Sequence, residues 1–291
     1  MLDRLVVIGV GLIGGSFALA LRKTGVVRHI TGVGRSHENM RHALERGIID
    51  EIAPDMVSAL HQADFVLLAM PVGQTENIMM QIAPHLQPGT IVSDAGSTKQ
   101  DVVTAARRHL GGNLKNFVPG HPIAGAEQSG VLAAQDDLYA GKHVILTPLE
   151  ETRTDAVETT AALWRTCGAK VSHMPVDEHD RILAATSHLP HILAFTLMNH
   201  LCKSTDTPEN LLRFAGSGFR DFTRIASSSP EMWRDICLAN RSALIGQMTA
   251  YQHELNILMN LLENGDGEAL QKAFSQARSM REDWLNRQDQ S

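Results

Sequence analysis

A run of apolar residues that leads directly into a glycine-rich segment is the feature that most constrains this fold. Leu5–Ile8 has the composition of a buried strand, and Gly9-Val10-Gly11-Leu12-Ile13-Gly14 follows it without a break. Glycines at this spacing permit a tight turn, a close approach of the backbone to a diphosphate, and close packing of the next helix on the strand. The alternative is a turn with a purely structural role. The segment predicts a nicotinamide or flavin nucleotide at a helix N-terminus, bound by Gly9, Gly11, Leu12, Ile13 and Gly14.

Size and composition limit the class of protein. The 291 residues are enough for two hydrophobic cores, and 43% hydrophobic with 20% charged content fits an ordinary globular protein. The net charge of −6, without a basic run, argues against a nucleic-acid partner, and no apolar run is long enough for a membrane span. The three cysteines, far apart in the sequence, suit free thiols. With no signal peptide apparent, we expect a cytoplasmic protein without a membrane partner.

Strand-like and helical segments alternate through the first part of the chain, with strands expected at 30–33, 65–70, 90–93, 117–118, 144–146 and 170–174. This order predicts an α/β fold with a Rossmann-like, doubly wound, mainly parallel sheet in a nucleotide-binding domain at 1–175. After Pro175 the strand pattern stops. An all-α dimerisation domain is expected at 176–291, with helices at about 178–203, 208–226, 230–263 and 266–288.

Apolar residues recur mostly three and four positions apart along the helix expected after Pro230. They are Cys237, Leu244, Met248, Tyr251, Leu255, Leu258 and Leu262. A stripe of this kind must be buried, either in an intramolecular core or against a second copy of the chain.

In doubly wound sheets, ligands bind beyond the carboxyl ends of the strands, which draws attention to the segments that follow them. Met70 and Pro71 are placed either to form a wall against the cofactor or to make a plain turn. Ser97, Thr98 and Lys99 follow the next strand, where the hydroxyls either cap a helix or face the ligand with the ammonium group.

One imidazole, that of His121, follows the strand at 117–118 in a segment rich in glycine and proline. Histidine has the unperturbed pKa nearest neutrality, so it suits the removal of a proton from an alcohol as hydride leaves. A surface or hydrogen-bonding histidine is the equally weighted alternative.

The helical half contains further polar candidates. His188 and His191 are three apart on one helical face, but no neighbouring carboxylate or cysteine completes a metal site, so no metal is expected. Arg220 and Arg224 follow a glycine-rich segment and precede Trp233. The arginines lie either on a solvated face or in a pocket for a dicarboxylate, since the guanidinium group matches a carboxylate.

Five motifs, spread over nearly the whole chain, carry a family resemblance: 9–16, 94–99, 120–125, 187–191 and 218–226. With them the chain resembles the prephenate and arogenate dehydrogenases of tyrosine biosynthesis. The resemblance implies an oxidoreductase that performs NAD(P)-dependent oxidative decarboxylation. Hydride leaves the ring carbon that bears the hydroxyl, the ring carboxylate departs as carbon dioxide, and 4-hydroxyphenylpyruvate or tyrosine forms.

The same resemblance implies residue roles. His121 is the expected catalytic base, Ser97 orients the substrate hydroxyl, and Arg224 binds a substrate carboxylate. Arg220 stands where some members of the family have lysine. His188, His191 and Trp233 are expected to line the pocket. Glu127 lies near the catalytic segment, where it bears on the choice between prephenate and arogenate. The helical domains of this family pair, which favours a homodimer.

The residues after the second strand bear on the choice of nucleotide. Gly34, Arg35 and Ser36 stand where an NAD-specific site has a carboxylate about twenty residues past the glycine turn. We expect NADP to be preferred over NAD, with Arg35 pairing with the ribose phosphate and Ser36 donating to it. The alternative has Arg35 in solvent and a site that accepts both.

Two other functions fit part of the pattern. A hydroxyacid or imine reductase shares a similar first domain, but it predicts a catalytic lysine on the first helices after the boundary, where this chain has histidines. The other is a nucleotide-sensing protein without turnover.

Overall fold

The structure is a computed structural model, and it describes residues 1–125, 128–203 and 211–288. Contacts between residues divide the chain into two compact units, Met1–Arg241 and Ser242–Ser291. The first unit contains both sheets and the helices up to Ala239. The domain boundary near residue 175 stays a prediction.

A six-stranded parallel sheet forms the centre of the first unit, in the order β3-β2-β1-β4-β5-β6. Its strands are β1 (Leu2–Ile8), β2 (Val27–Val33), β3 (Glu51–Ile52), β4 (Phe65–Leu68), β5 (Ile91–Asp94) and β6 (Phe117–Val118). The order reverses between β1 and β4, as in a doubly wound fold. The predicted Rossmann-like sheet is therefore confirmed.

Helices cover both faces of this sheet. They are α1 (Leu12–Thr24), α2 (His37–Glu45), α3 (Met56–Leu60), α4 (Thr75–Ile82), α5 (Gln100–His109) and α6 (Thr154–Thr166). Leu5 and Val7 of β1 belong to one hydrophobic cluster, whereas Val6 and Ile8 belong to another. Successive side chains of a strand point to opposite faces. A strand buried on both faces therefore needs the uninterrupted apolar run seen in the sequence.

A second, three-stranded sheet contains β7 (Gly120–Pro122), β8 (His143–Leu146) and β9 (Lys170–His173). β7 is antiparallel to β8, and His121 pairs with Ile145. Two of the expected strands, β8 and β9, therefore belong to this second sheet and not to the large one: β8 pairs with β7 on one side and with β9 on the other. His121 itself lies on a short strand and not in a loop.

The helices after Pro175 are more broken than the sequence suggested. Instead of one helix at 178–203 there are α7 (Val176–Leu183), a π-helical turn (Ala184–His188) and α8 (Leu189–Cys202). Of the helix expected at 208–226, residues 204–210 lie outside the described part, and α9 spans Ser217–Thr223. The helix expected at 230–263 is divided at Asn240 into α10 (Pro230–Ala239) and α11 (Arg241–Glu263).

The second unit contains most of α11 together with α12 (Gly267–Gln288). Leu244 is buried, but several other large apolar side chains of these helices are exposed in the single chain: Met248, Tyr251, Leu255, Leu262, Phe274 and Trp284. Cys167, Cys202 and Cys237 are free thiols. No helix among the described residues is both long enough and apolar enough to span a membrane.

Candidate active site

The glycine turn after β1 leaves the N-terminus of α1 open. Gly9 has a φ of +98°, and a Cβ atom there would lie 2.7 Å from the carbonyl carbon of Ala69. A Cβ atom on Gly14 would lie 2.7 Å from Cγ1 of Val7, so only glycine lets the helix pack this closely on the strand. Beside Gly11, by contrast, the space is open. No side chain caps this helix, so its first amides remain available to a diphosphate.

The segment after β4 contacts the helical half of the unit. Met70 is half-buried, Pro71 is exposed, and Val72 forms a small buried cluster with Trp233 and Ile236 of α10. The segment predicted to border the cofactor therefore packs directly against Trp233, which is predicted to line the substrate pocket.

Asp94, at the end of β5, connects the turn that follows it to β7. Its Oδ1 accepts a hydrogen bond from the Gly120 amide at 3.0 Å, and its Oδ2 accepts from the Gly96 amide at 2.8 Å and from the Lys99 ammonium. Lys99 is fully buried in this ion pair. That Lys99 binds the cofactor stays a prediction, and the ammonium group it would use is paired with Asp94 inside the protein.

A cap on α5 from Ser97 or Thr98 was one of the two alternatives that the sequence left open, and the structure does not have it. Neither Ser97 nor Thr98 caps this helix; the N-cap residue is Lys99, whose side chain makes no cap. Instead, the Asp180 carboxylate of α7 accepts hydrogen bonds from the amides of Lys99 and Gln100, both at 2.9 Å. Ser97 lies half-buried in the turn before the helix, and its orienting role stays a prediction.

His121 is the first of three titratable side chains joined by hydrogen bonds. Its Nδ1 lies 2.8 Å from Nε2 of His179, and Nδ1 of His179 lies 2.8 Å from Oδ1 of Asp180. All three residues are buried. Burial, the neighbouring His179 and the charge of Lys99 hold the pKa of His121 well below its usual range. His121 is therefore neutral and able to accept a proton at neutral pH.

Asp180 keeps its charge although it is buried. Burial alone would raise its pKa, but hydrogen bonds from His179 and from the Gln100 and Lys99 amides bring the pKa below the ordinary value.

His188, in the π-helical turn, is held by Asn240. The Nδ2 atom of Asn240 donates to the Asp180 carbonyl at 2.8 Å and lies 3.1 Å from Nδ1 of His188. Burial lowers the pKa of His188 to about 4, so the ring is neutral near pH 7. Since Nδ1 accepts from Asn240, the ring proton is on Nε2, a buried donor without a partner among the described residues.

His191 stacks on Trp233 with ring centroids 3.7 Å apart, and His188 meets the same indole edge-on at 6.0 Å. The indole Nε1 is a second buried donor unpartnered within the described residues. Burial lowers the pKa of His191, and the positive charge of Arg224 lowers it further. These predicted pocket residues are thus close together. Arg220 is exposed on α9, and Glu127 lies outside the described residues.

The segment after β2 presents cations at the surface. Arg35 is exposed, and Ser36 caps α2 by accepting a hydrogen bond from the Asn39 amide at 3.2 Å. Its hydroxyl hydrogen remains available to an anion. A Cβ atom on Gly34 would lie 2.5 Å from Sδ of Met40. The position beside Gly34 is therefore filled by the side chain of Met40.

Sequence reasoning missed His179, Asp180 and Asn240. The pair His179-Asp180 in the first turns after Pro175 was a visible signal, because adjacent imidazole and carboxylate groups that follow the predicted strands are candidates for a shared site. Nothing in the sequence pointed to Asn240, whose partners are 60 and 52 residues away.

Comparison with known families and proteins matches nearly the whole chain. The family model described as "Prephenate dehydrogenase, nucleotide-binding domain" matches residues 17–173, and the model described as "Prephenate dehydrogenase, dimerization domain" matches residues 175–276. Prephenate dehydrogenase of Bacillus subtilis is 38% identical over 283 residues, which cover 97% of this chain and 76% of the relative.

Solved structures agree with this result. Prephenate dehydrogenase from A. aeolicus, in complex with hydroxyphenyl propionate and NAD+, is similar with a TM-score of 0.91 and 37% identity, covering 97% of this chain and 98% of that one. Synechocystis arogenate dehydrogenase has a TM-score of 0.82 and 28% identity, covering 97% of this chain and 99% of that one.

Proposed function

The chain belongs to the prephenate dehydrogenase family, and we propose that it oxidises prephenate, or its amino analogue arogenate, with loss of carbon dioxide. The observation that carries the proposal is His121, a buried neutral histidine whose Nδ1 is engaged by His179 while its Nε2 remains for a substrate. It stands beyond the carboxyl ends of the parallel strands, where doubly wound folds bind their ligands.

The residues present fit a nicotinamide cofactor. The open helix N-terminus after Gly11 suits the diphosphate. The segment that follows β4 begins beside the glycine turn, because a Cβ atom on Gly9 would lie 2.7 Å from the backbone nitrogen of Met70. When bound, the cofactor accepts a hydride from the ring carbon of the substrate. His121 takes the proton of the hydroxyl on that carbon, and Ser97 is proposed to orient the hydroxyl. Departure of the ring carboxylate as carbon dioxide leaves its electron pair in the ring, which becomes aromatic, and the resulting phenolate oxygen takes back a proton.

A substrate with two carboxylates needs donors and fixed positive charge. We propose that Arg224, whose charge is felt by His191, binds one carboxylate, with Arg220 as a second cation at the pocket. His188 Nε2 and Trp233 Nε1, buried donors that have no partner in the described part of the chain, are proposed to supply hydrogen bonds to substrate oxygens. Leaving such donors unmet costs about 1–3 kcal/mol each, so an oxygen-rich ligand regains part of that free energy.

NADP is the proposed preferred cofactor. Exposed Arg35 and the free hydroxyl hydrogen of Ser36 lie at the N-terminus of α2, where the helix dipole also favours a phosphate. We further propose a homodimer, supported by the exposed apolar side chains of α11 and α12 and by the match to a dimerization domain.

The direct test incubates the purified protein with NADP+ or NAD+ and either prephenate or arogenate, and measures reduced nicotinamide and carbon dioxide together. Equal amounts of both products support oxidative decarboxylation. Reduced nicotinamide without carbon dioxide would indicate an ordinary alcohol dehydrogenase. Binding of nucleotide with no turnover of either acid would favour a sensing role. The ratio of the two rates decides between prephenate and arogenate.

A further inference from the structure

We propose that His179 and Asp180 are positioning residues for this reaction. They hold His121 in the tautomer whose Nε2 is unprotonated, and they share the positive charge that His121 acquires. The inference rests on the proposed role of His121 as the proton acceptor.

The order of hydrogen-bond donors and acceptors from Asp180 through His179 to His121 supports the assignment. The Asp180 carboxylate only accepts hydrogen bonds, so Nδ1 of His179, at 2.8 Å, must carry a proton. A His179 that carries this one ring proton accepts at Nε2, and Nδ1 of His121, at 2.8 Å, must then donate to it. Neutral His121 then has its lone pair on Nε2. The carboxylate thereby fixes which nitrogen of His121 can take a proton.

Asp180 is itself held rigidly. Both carboxylate oxygens accept from the first amides of α5, and its carbonyl accepts from Asn240. The positive end of the α5 dipole stabilises the charge at this point. Because α5 follows the turn that contains Ser97, the same carboxylate fixes the proposed base relative to the proposed orienting hydroxyl.

The other charges near His121 oppose its protonation. The Lys99 ammonium acts on His121 although it is paired with Asp94, and His188 lies close enough to act in the same direction when it is itself protonated. Asp180 is the carboxylate joined to His121 through hydrogen bonds, while Asp101 lies near Asp180 and makes its negative charge less favourable. Neutralising Asp180 therefore makes protonated His121 less stable and His121 a weaker base.

Three variants and one control separate positioning from folding. His179→Leu removes the acceptor, His179→Gln places an amide oxygen near the position of Nε2, and Asp180→Asn removes the charge. Leu163→Ala, at a buried position of α6, reports the effect of destabilisation alone. Each variant is compared by thermal unfolding, by cofactor titration, and by kcat and KM across pH.

A positioned base contributes roughly a hundred- to ten-thousand-fold in rate. We expect His179→Leu to lower kcat about a hundredfold with KM and cofactor affinity within about threefold, and His179→Gln to recover about tenfold of that loss. Asp180→Asn should move the acid limb of kcat/KM to lower pH, because removal of the negative charge lowers the pKa of His121. The proposal would be overturned if kcat of the His179 variants fell no further than kcat of an equally destabilised Leu163→Ala protein. It would also be overturned if kcat of His179→Gln were no higher than kcat of His179→Leu.

A measurement on the unmodified protein keeps the test independent of folding and of turnover. Nitrogen NMR of protein labelled in its 14 histidines reports which ring nitrogen carries the proton, and His121→Asn identifies the His121 signals. A proton on Nδ1 of His121 and on Nδ1 of His179 is expected. A proton on Nε2 of neutral His121 contradicts the proposal. If neither acid is oxidised while NMR gives the expected tautomers, the proposed function fails and the tautomer assignment stands.

Discussion

The Lys99 ammonium donates a hydrogen bond to the Asp94 carboxylate in the protein interior, where neither side chain is more than 2% exposed. The same carboxylate holds the amides of Gly96 and Gly120. One buried charge thus connects the turn after β5 to the strand that carries His121, and Lys99 is what neutralises it.

The first prediction concerns this ion pair. Lys99→Met leaves the buried Asp94 carboxylate without its counter-charge, which typically costs about 3–5 kcal/mol. We expect the free energy of unfolding in urea to fall by about that amount, whereas exposed Lys115→Met changes it little. If Lys99→Met keeps full stability but loses cofactor affinity, Lys99 contacts the cofactor after all.

Arg224→Ala should weaken substrate binding. Hydrogen bonds to charged groups contribute roughly 1.5–3 kcal/mol, which corresponds to about a ten- to hundredfold rise in KM for the acid. The KM for the cofactor should stay the same. Arg28→Ala, a surface arginine paired with Asp3, serves as the matched control. An unchanged substrate KM would show that Arg224 does not bind the carboxylate.

Arg35→Ala should reduce the preference for NADP. Loss of one charge-assisted contact to the ribose phosphate should raise KM for NADP+ about ten- to hundredfold and leave KM for NAD+ unchanged. To reverse the preference, Gly34→Asp would add a hydrogen-bond acceptor for the ribose and Arg35→Ile would remove the cation. Met40→Ala is needed as well, because the Met40 side chain fills the space beside Gly34. Equal catalytic efficiency with NAD+ in the unmodified protein would contradict the preference while leaving the oxidoreductase class intact.

The helices α11 and α12 should form a homodimer interface. Leu255 and Leu262 are 43% and 66% exposed in the single chain, so Leu255→Glu with Leu262→Glu should convert a dimer to a monomer in light scattering. Leu132→Glu, on an equally exposed leucine of the first unit, should leave the mass unchanged. A 31.8 kDa particle for the unmodified protein at micromolar concentration would refute the dimer.

Local patterns were sufficient to predict the parallel sheet and the glycine turn. Strand β1 must be apolar on both faces, which requires an uninterrupted apolar run in the sequence. Contacts with nearby backbone and side chains require glycine at positions 9 and 14, so this turn is also visible in the sequence. The same holds for the general position of His121 after a strand. These features depend on residues that are close in sequence or that follow the carboxyl ends of neighbouring strands.

Contacts between distant residues were not predictable. His121 and His179 are 58 positions apart, and Asp180 replaces a local cap on α5 from 80 positions away. A serine or threonine before a helix predicts its own cap, yet here the tertiary carboxylate takes that place. Asn240, at the C-terminus of α10, likewise has distant partners, because its side-chain amide contacts the Asp180 carbonyl and the His188 ring.

We propose that His121 accepts the hydroxyl proton during oxidation of the cyclohexadiene acid. Formation of reduced nicotinamide by the unmodified protein and by His121→Asn, measured across pH with cofactor affinity determined separately, tests it most directly. We expect kcat to fall roughly a hundred- to ten-thousand-fold with cofactor affinity unchanged. Because burial lowers the pKa of His121, the base stays neutral as pH falls through 6.5, so the acid limb of the unmodified protein should lie below that pH. Near-normal turnover by His121→Asn would contradict the account.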